Sequence, residues 1–364
     1  MVNFIKLFSG IYNGKRILIT GDTGFKGSWL SLWLNEMGAE VYGYALPPKT
    51  EKDNYVVCKL NNIIKHEDGD IRDRDHLLNY FKEVNPHIAF HLAAQPLVLD
   101  SYNSPHYTYE TNLMGTVNFF EAVRISPKIK AAVNITSDKC YENNEWIWGY
   151  RENDPMGGKD PYSSSKGCSE LITSSYISSF FTDSECNIAS VRAGNVIGAG
   201  DWSENRVVPD FFRAFIDKQT LKIRNPSATR PWQHVLESLG GYLLLAAKLY
   251  NDPSLSGGWN FGPKEEMNYK VYELIKLLQG HSPGISIEYS DDITTKEAGL
   301  LKLDISKAVF KLKWQPVLSF EDTVKLTADG YISDFTGKDA LQNRIDAIHK
   351  YLITAIDRYI SWFK

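Results

Sequence analysis

Cysteine is scarce in this 364-residue chain: Cys58, Cys140, Cys168 and Cys186 are its only four, and no two stand at metal-ligand spacing. A disulfide framework and a cysteine metal site are set aside, and reduced thiols in a cytoplasmic protein are expected. Excess positive charge is missing too. Lys and Arg number 40 against 44 Asp and Glu, a formal charge of -4, without the basic face that nucleic acid requires. No apolar run approaches the roughly 20 residues of a membrane-spanning helix. The mildly apolar start, Met1 to Ile11, is interrupted by Lys6 and followed by no small-residue cleavage site, so no secretion signal is expected. Repeats, heptads and low-complexity linkers are also lacking. What is present is a 43% hydrophobic, 23% charged composition, enough for one large domain or two closely joined ones.

From Arg16 the chain alternates short β-branched runs with longer helical stretches, the pattern of repeated βαβ units and a parallel sheet. RILIT, EVYGYAL, IIKHEDGD, HIAFHLA, AAVNITS and NIASVRA read as successive strands, with helical spacing between them. The expected fold is α/β, a Rossmann-type doubly wound parallel sheet with a smaller, mixed α/β C-terminal substrate domain. After Gly194 the texture changes to proline-punctuated loops, short helices and isolated strands such as LKIRN, WNFGP and ISIEYS. The expected division is therefore a Rossmann domain over 1–194 and a mainly substrate-binding part over 195–364, with two C-terminal helices and some segments crossing back.

Directly after the first strand comes Gly21-Asp22-Thr23-Gly24-Phe25-Lys26-Gly27, leading into a helix. Gly21 allows the tight turn, Gly24 lets backbone N–H groups approach a pyrophosphate, and Gly27 lets helix and strand pack closely. The helix N-terminus adds about half a positive charge toward the phosphates. The second strand ends in Tyr44-Ala45-Leu46-Pro47-Pro48, with no acid for a ribose; Glu40 sits at its wrong end, and no arginine there favours a 2′-phosphate. NAD is preferred over NADP, although Lys26 and Lys49 are basic residues near enough to meet a 2′-phosphate. Asp70-Ile71, after the third strand, is placed either to hold the adenine edge or to make a turn beside Arg72, and Ala93-Ala94 offers a small-residue floor.

Tyr162 and Lys166 stand four apart in PYSSSKG and share one helix face. A tyrosine near its usual pKa of about 10 is a poor base at neutral pH, and a nearby ammonium favours its phenolate. Ser137, 25 residues upstream at the end of the fifth strand, is placed to bind the oxygen that Tyr162 deprotonates. Asp138 and Lys139 follow it directly.

With these residues the sequence resembles the short-chain dehydrogenases, in particular the extended NAD-dependent epimerase/dehydratase family. Members that dehydrate sugar nucleotides carry Asp-Glu after the hydroxyl residue, where this chain has Asp138-Lys139. That departure, with TGxxGFKGSWLSLWL, HLAAQPLV, GYRENDPMGGKDPYSSSKG, VRAGNVIGAGDW and NPSATRPWQHVLE, resembles the branch acting on CDP-D-glucose, from about Lys15 to about Phe320. The resemblance implies oxidation of a nucleotide-diphospho-hexose at C4, loss of water across C5 and C6, and hydride return to C6. It implies Ser137, Asp138, Lys139, Tyr162 and Lys166 as catalytic residues. It places Gly21, Thr23, Gly24, Phe25, Lys26, Gly27, Asp70, Ile71, Ala93, Ala94, Gln95, Asn112, Tyr162 and Lys166 at NAD. Ser137, Asn195, Arg206, Val207, Arg230 and Asn260 are implied for the substrate. No metal is implied; a homodimer packed through the helices carrying Asn112 and Tyr162, or a higher homo-oligomer, is. Asp22 stands where the branch has histidine, Leu99-Asp100 replaces a more basic stretch, and Lys296-Glu297-Ala298 stands where His-Glu-Ala is expected. The alternatives are a sugar-nucleotide epimerase, against which Asp138-Lys139 argues, and a non-catalytic nucleotide-binding regulator on the same fold.

Overall fold

A computed structural model describes residues 2–264, 269–290 and 300–364; the Lys296-Glu297-Ala298 segment lies outside them. Seven strands, β1 (Arg16–Thr20), β2 (Glu40–Ala45), β3 (Lys65–Asp68), β4 (Ile88–His91), β5 (Ala131–Ile135), β6 (Asn187–Ala193) and β7 (Gly257–Phe261), form one parallel sheet. Its order is β7-β6-β5-β4-β1-β2-β3. The chain runs outward from β1 to β3, then returns to place β4 on the other side of β1. Thr20 is consequently registered against Tyr44 of β2 and His91 of β4. This reversal opens a crevice at the carboxyl ends of the strands, where α/β proteins bind ligands.

Helices cover both faces, as a parallel sheet requires. Strands β5 and β6 are buried from end to end. On one face lie α1 (Phe25–Glu36), α6 (Val235–Leu249) and α9 (Ala340–Asp357), with Trp29, Trp33, Leu236, Leu243 and Tyr351 in a shared core. On the other lie α2 (Arg74–Val84), α3 (Gly115–Arg124) and α4 (Pro161–Tyr176), built around Phe81, Phe119, Phe120 and Ile188. A third core joins α5 (Val207–Asp217), α7 (Val271–His281) and α8 (Phe320–Phe335) through Phe211, Leu274, Phe320 and Tyr331. Among the described residues no helix is long and apolar enough to cross a membrane.

WNFGP is not an isolated lid strand; it forms β7, the edge of the main sheet, with Trp259 registered against Val191 of β6. Helix α6, also from beyond residue 194, is buried along nearly its whole surface against that sheet, as an all-round apolar helix must be.

A buried ion pair ties α4 to β6: Arg192 Nη2 donates to Glu170 Oε2 at 2.8 Å, with both side chains at most 4% exposed. Ser190 and Thr136 hydroxyls donate to the same carboxylate. Burial alone would raise the Glu170 pKa, but Arg192 and these donors outweigh it and hold it below the usual carboxylate range. Removing one partner leaves an uncompensated buried charge. Arg192→Met is expected to lower the free energy of unfolding by about 3–5 kcal/mol in urea denaturation.

Candidate active site

The glycine loop closes over the end of β1 by direct backbone contact. Gly21 has φ +81, and a Cβ there would lie 2.6 Å from Ala93 N; one on Gly27 would lie 2.0 Å from Gly21 O. Neither position accepts a side chain. Gly24 is exposed and precedes α1, which starts without a side-chain cap, so the first helical amides are free of a capping side chain. The Thr23 hydroxyl donates to Leu46 O at 2.9 Å, fixing the loop to the end of β2, and Phe25 packs near Gly198. An uncapped helix start behind a glycine cradle fits a dinucleotide pyrophosphate. Ala93 and Ala94 lie half-buried beside it.

The catalytic helix is placed by its own first turn. Asp160 caps α4 by accepting from Ser163 N at 2.9 Å, with Pro161 at the first helical position. Tyr162 N donates to Ser101 Oγ at 3.2 Å, and Lys166 Nζ donates to Ile135 O at 3.4 Å, at the end of β5. From that same strand end, Ser137 Oγ donates to Asp138 Oδ1 at 2.9 Å and accepts from Lys139 N at 3.2 Å. A Cβ on Gly194, at the end of β6, would lie 3.3 Å from Asp138 Oδ2 and 3.2 Å from Pro231, so the Arg230 loop adjoins this carboxyl.

Burial dominates the electrostatics. It pushes the Tyr162 phenol up to about 12, while Ser137 and the Arg206 guanidinium pull it back. It lowers Lys166 to about 8. It raises the Asp138 carboxyl against the opposing pull of Lys139, Ser137, Lys26 and Arg230. Lys26 falls to about 8 through burial and the cations Arg206 and Lys166, and its Nζ lies 3.4 Å from the Tyr242 hydroxyl.

The glycine loop, the β4 and β5 ends, Tyr162, Lys166, Arg206 and Arg230 therefore gather at one sheet edge. Asn195 and Val207 are half-buried there, at the end of β6 and the start of α5. Five residues expected to touch ligand are otherwise engaged, among them Gln95, which is buried with its Nε2 donating to Leu97 O and Thr108 Oγ1, both at 3.0 Å. Asn260 is fully buried: its Oδ1 accepts from Tyr141 OH at 2.8 Å, and its Nδ2 donates to Tyr150 O at 2.8 Å and Asp304 O at 3.1 Å. Asn112 exchanges hydrogen bonds with the Gln95 backbone and donates to Ser165 Oγ at 2.9 Å, holding the β4 loop to α4. Asp70 follows its turn reading, paired to Arg72 Nη2 at 2.6 Å. The Ile71 side chain lies in the core beneath α3. Sequence reasoning missed Asp201, which binds Arg206 Nη1 at 2.9 Å from five residues upstream in GAGDW, and Tyr242, for which α6 carries no local signal.

The sequence matches the family model of GDP-mannose 4,6 dehydratase over residues 18–327. The chain belongs to this family. A CDP-glucose 4,6-dehydratase of Salmonella typhimurium is 49% identical over 338 residues, covering 91% of this chain and 94% of that protein. The fold is shared by the crystal structure of dTDP-glucose 4,6-dehydratase from Bacillus anthracis in complex with NAD, with a TM-score of 0.74, 20% identity and coverage of 90% of this chain and all of that one. A UDP-glucose-4-epimerase from Stenotrophomonas maltophila with bound NAD gives 0.77 at 18% identity, over 88% and 98% of the two chains.

In this family member Asn260 is a bracket between the β7 edge and the Tyr150 and Asp304 loops. Asn260→Ala removes these three hydrogen bonds and leaves the buried Tyr141 hydroxyl without its acceptor, and thermal or chemical melts are expected to show a loss of about 1–3 kcal/mol.

Proposed function

We propose that the protein is a sugar-nucleotide 4,6-dehydratase that converts CDP-D-glucose to CDP-4-keto-6-deoxy-D-glucose with NAD. The observation that carries this reading is Ser137, Asp138 and Lys139 at one strand end, beside the α4 helix that presents Tyr162 and Lys166. The 49% identity to a CDP-glucose enzyme supports the cytidine nucleotide, and the NAD complexes of proteins with the same fold support the cofactor. The residues that would hold NAD are Gly21, Thr23, Gly24, Phe25, Lys26 and Gly27, with Ala93, Ala94 and Lys166. When bound, NAD supplies the reversible two-electron oxidation that the sugar needs.

Tyr162 takes the proton of the C4 hydroxyl, which Ser137 orients. The Arg206 guanidinium and the Ser137 hydroxyl favour the phenolate against burial. A ketone at C4 makes the C5 hydrogen acidic and puts the C6 hydroxyl in the β position. Lys139 removes the C5 proton, and Asp138, whose protonated form burial favours, donates to the departing C6 oxygen; return of the C4 hydride to C6 and of a proton from Lys139 to C5 would complete the 6-deoxy product. Arg206, braced by Asp201, and Arg230 supply charge for the diphosphate. The reading includes a cytoplasmic location, supported by four unpaired cysteines. It also includes a homodimer through the Asn112 and Tyr162 helices, supported by the exposed Leu171 and Phe180 on that side.

Purified protein given CDP-glucose should yield the alkali-dependent absorbance of a 4-keto sugar; no such product from any nucleotide-hexose refutes the proposal. Tyr162→Phe is expected to slow turnover by about 10²–10⁴-fold while nucleotide binding, measured by calorimetry, stays nearly intact. In deuterated water the product should carry deuterium at C5. Asp138→Asn and Lys139→Ala should each abolish the 6-deoxy product; full-rate product from both would assign the elimination to other residues.

A further inference from the structure

The glycine loop contains a carboxylate that the cofactor reading leaves unexplained. Asp22 is fully buried and lies flat on β2 at Gly43, where a Cβ would come within 2.0 Å of its Oδ2. Its Oδ1 has no hydrogen-bond partner among the described residues. Its Oδ2 meets His66 Nδ1 of β3 at 2.7 Å, and His66 Nε2 meets Asp68 Oδ1 at 3.1 Å. The imidazole thus bridges a buried carboxylate to a largely exposed one, 69% accessible at the strand end. With both carboxylates ionised, both contacts are hydrogen bonds only when both ring nitrogens carry protons, because a neutral imidazole has a single donor.

We propose that His66 is a positioning residue for the glycine loop, its imidazolium neutralising Asp22 so that the loop accepts the two negative charges of a dinucleotide pyrophosphate. The inference rests on the reading of this loop as the NAD site. Without that cation the phosphate cradle contains a buried anion of its own, which repels the ligand and has little water to screen it.

The surroundings favour the charged imidazole. Burial works to lower the His66 pKa, but Asp22 and Asp68 together outweigh it and the net shift is upward. Burial also raises Asp22, opposed by its bond to His66. From the packed elements, Tyr55 of the short helix Asn54–Val57 faces the imidazole with ring centroids 5.3 Å apart, and Tyr80 of α2 feels Asp22, Glu67 and Glu83. Burial pushes Tyr55 up to about 12 and raises Tyr80 as well, so both stay neutral through the physiological range. A raised folded-state pKa means the pair is fully formed below the unfolded value of about 6.5 and is lost as pH rises through the folded one. NAD affinity should fall in the same direction.

Lys26 and Lys166, both near 8, titrate in the same window, so variants isolate the contribution of His66. Calorimetric titration with NAD alone, without sugar nucleotide, is the readout. At about pH 6, His66→Gln is expected to bind NAD about tenfold more weakly than the unmodified protein. Asp22→Asn added to that variant should restore the affinity, because it removes the charge left unneutralised. Asp22→Asn alone should show a shallower loss of affinity toward about pH 9 than the unmodified protein. Unchanged affinity in His66→Gln, or no rescue by Asp22→Asn, overturns the proposal. If His66→Gln does not fold, equal pH slopes for Asp22→Asn and the unmodified protein overturn it, and a shallower slope supports it. Failure of the unmodified protein to bind NAD at any pH refutes the cofactor reading instead, and the inference falls with it.

Discussion

Three backbone segments meet at Gly21, and the rest of the site depends on that contact. β1 ends there, the β4 loop passes so close that a Cβ would strike Ala93 N, and Gly27 of α1 presses on the Gly21 carbonyl. The spacing of β1, β4 and α1 is therefore set by peptide groups rather than by adjustable side chains. Everything beyond the carboxyl edge of the sheet inherits this spacing, including the distance between the helix start that would receive phosphate and the β5 end that carries Ser137. Side-chain packing on either face can relax by rotamer changes; a contact between main chains cannot.

Around this fixed centre the charges are crowded and mostly buried. Lys139, Lys26 and Arg230 act on one acid, Asp138, and burial raises that acid while lowering Lys26 and Lys166. Each shift moves a group toward its neutral form, where it can exchange a proton near neutrality rather than serve as a fixed charge. Arg206 differs because Asp201 pairs with it, keeping a permanent cation close to the Tyr162 phenol. The Glu170–Arg192 pair behind α4 is likewise committed to structure. The site thus separates the paired, permanent charge of Arg206 from Lys26, Lys166 and Asp138, which burial moves toward neutrality.

Local features of the site were legible in the sequence, and features created by register were not. The glycine loop, Ser137-Asp138-Lys139 and Tyr162/Lys166 are readable because each lies within one turn or one strand end, where spacing alone fixes direction. The first six strands were legible for the same reason. β7 was not, because its pairing partner β6 lies more than sixty residues away in sequence, and no local pattern distinguishes an edge strand of this sheet from one in a lid. Asn260 shows the cost. A motif match assigned it to substrate, but its register against Arg192 places it inside the sheet's own polar network. Asp22 and His66 are 44 positions apart and meet only because β3 pairs with β2 so that His66 stands opposite Gly43.

The late arrival of β7 and α6 has a consequence for how the protein is made. During synthesis on the ribosome, the first 194 residues emerge with β6 as an unpaired outer strand and with the sheet face destined for α6 bare. That segment is wholly apolar or tightly paired in the finished molecule, so in the nascent chain it is an open template for strand addition by a neighbouring polypeptide. Protection comes only when residue 261 has cleared the exit tunnel. This edge of the nascent sheet therefore stays open while the sixty-odd residues between β6 and β7 are translated.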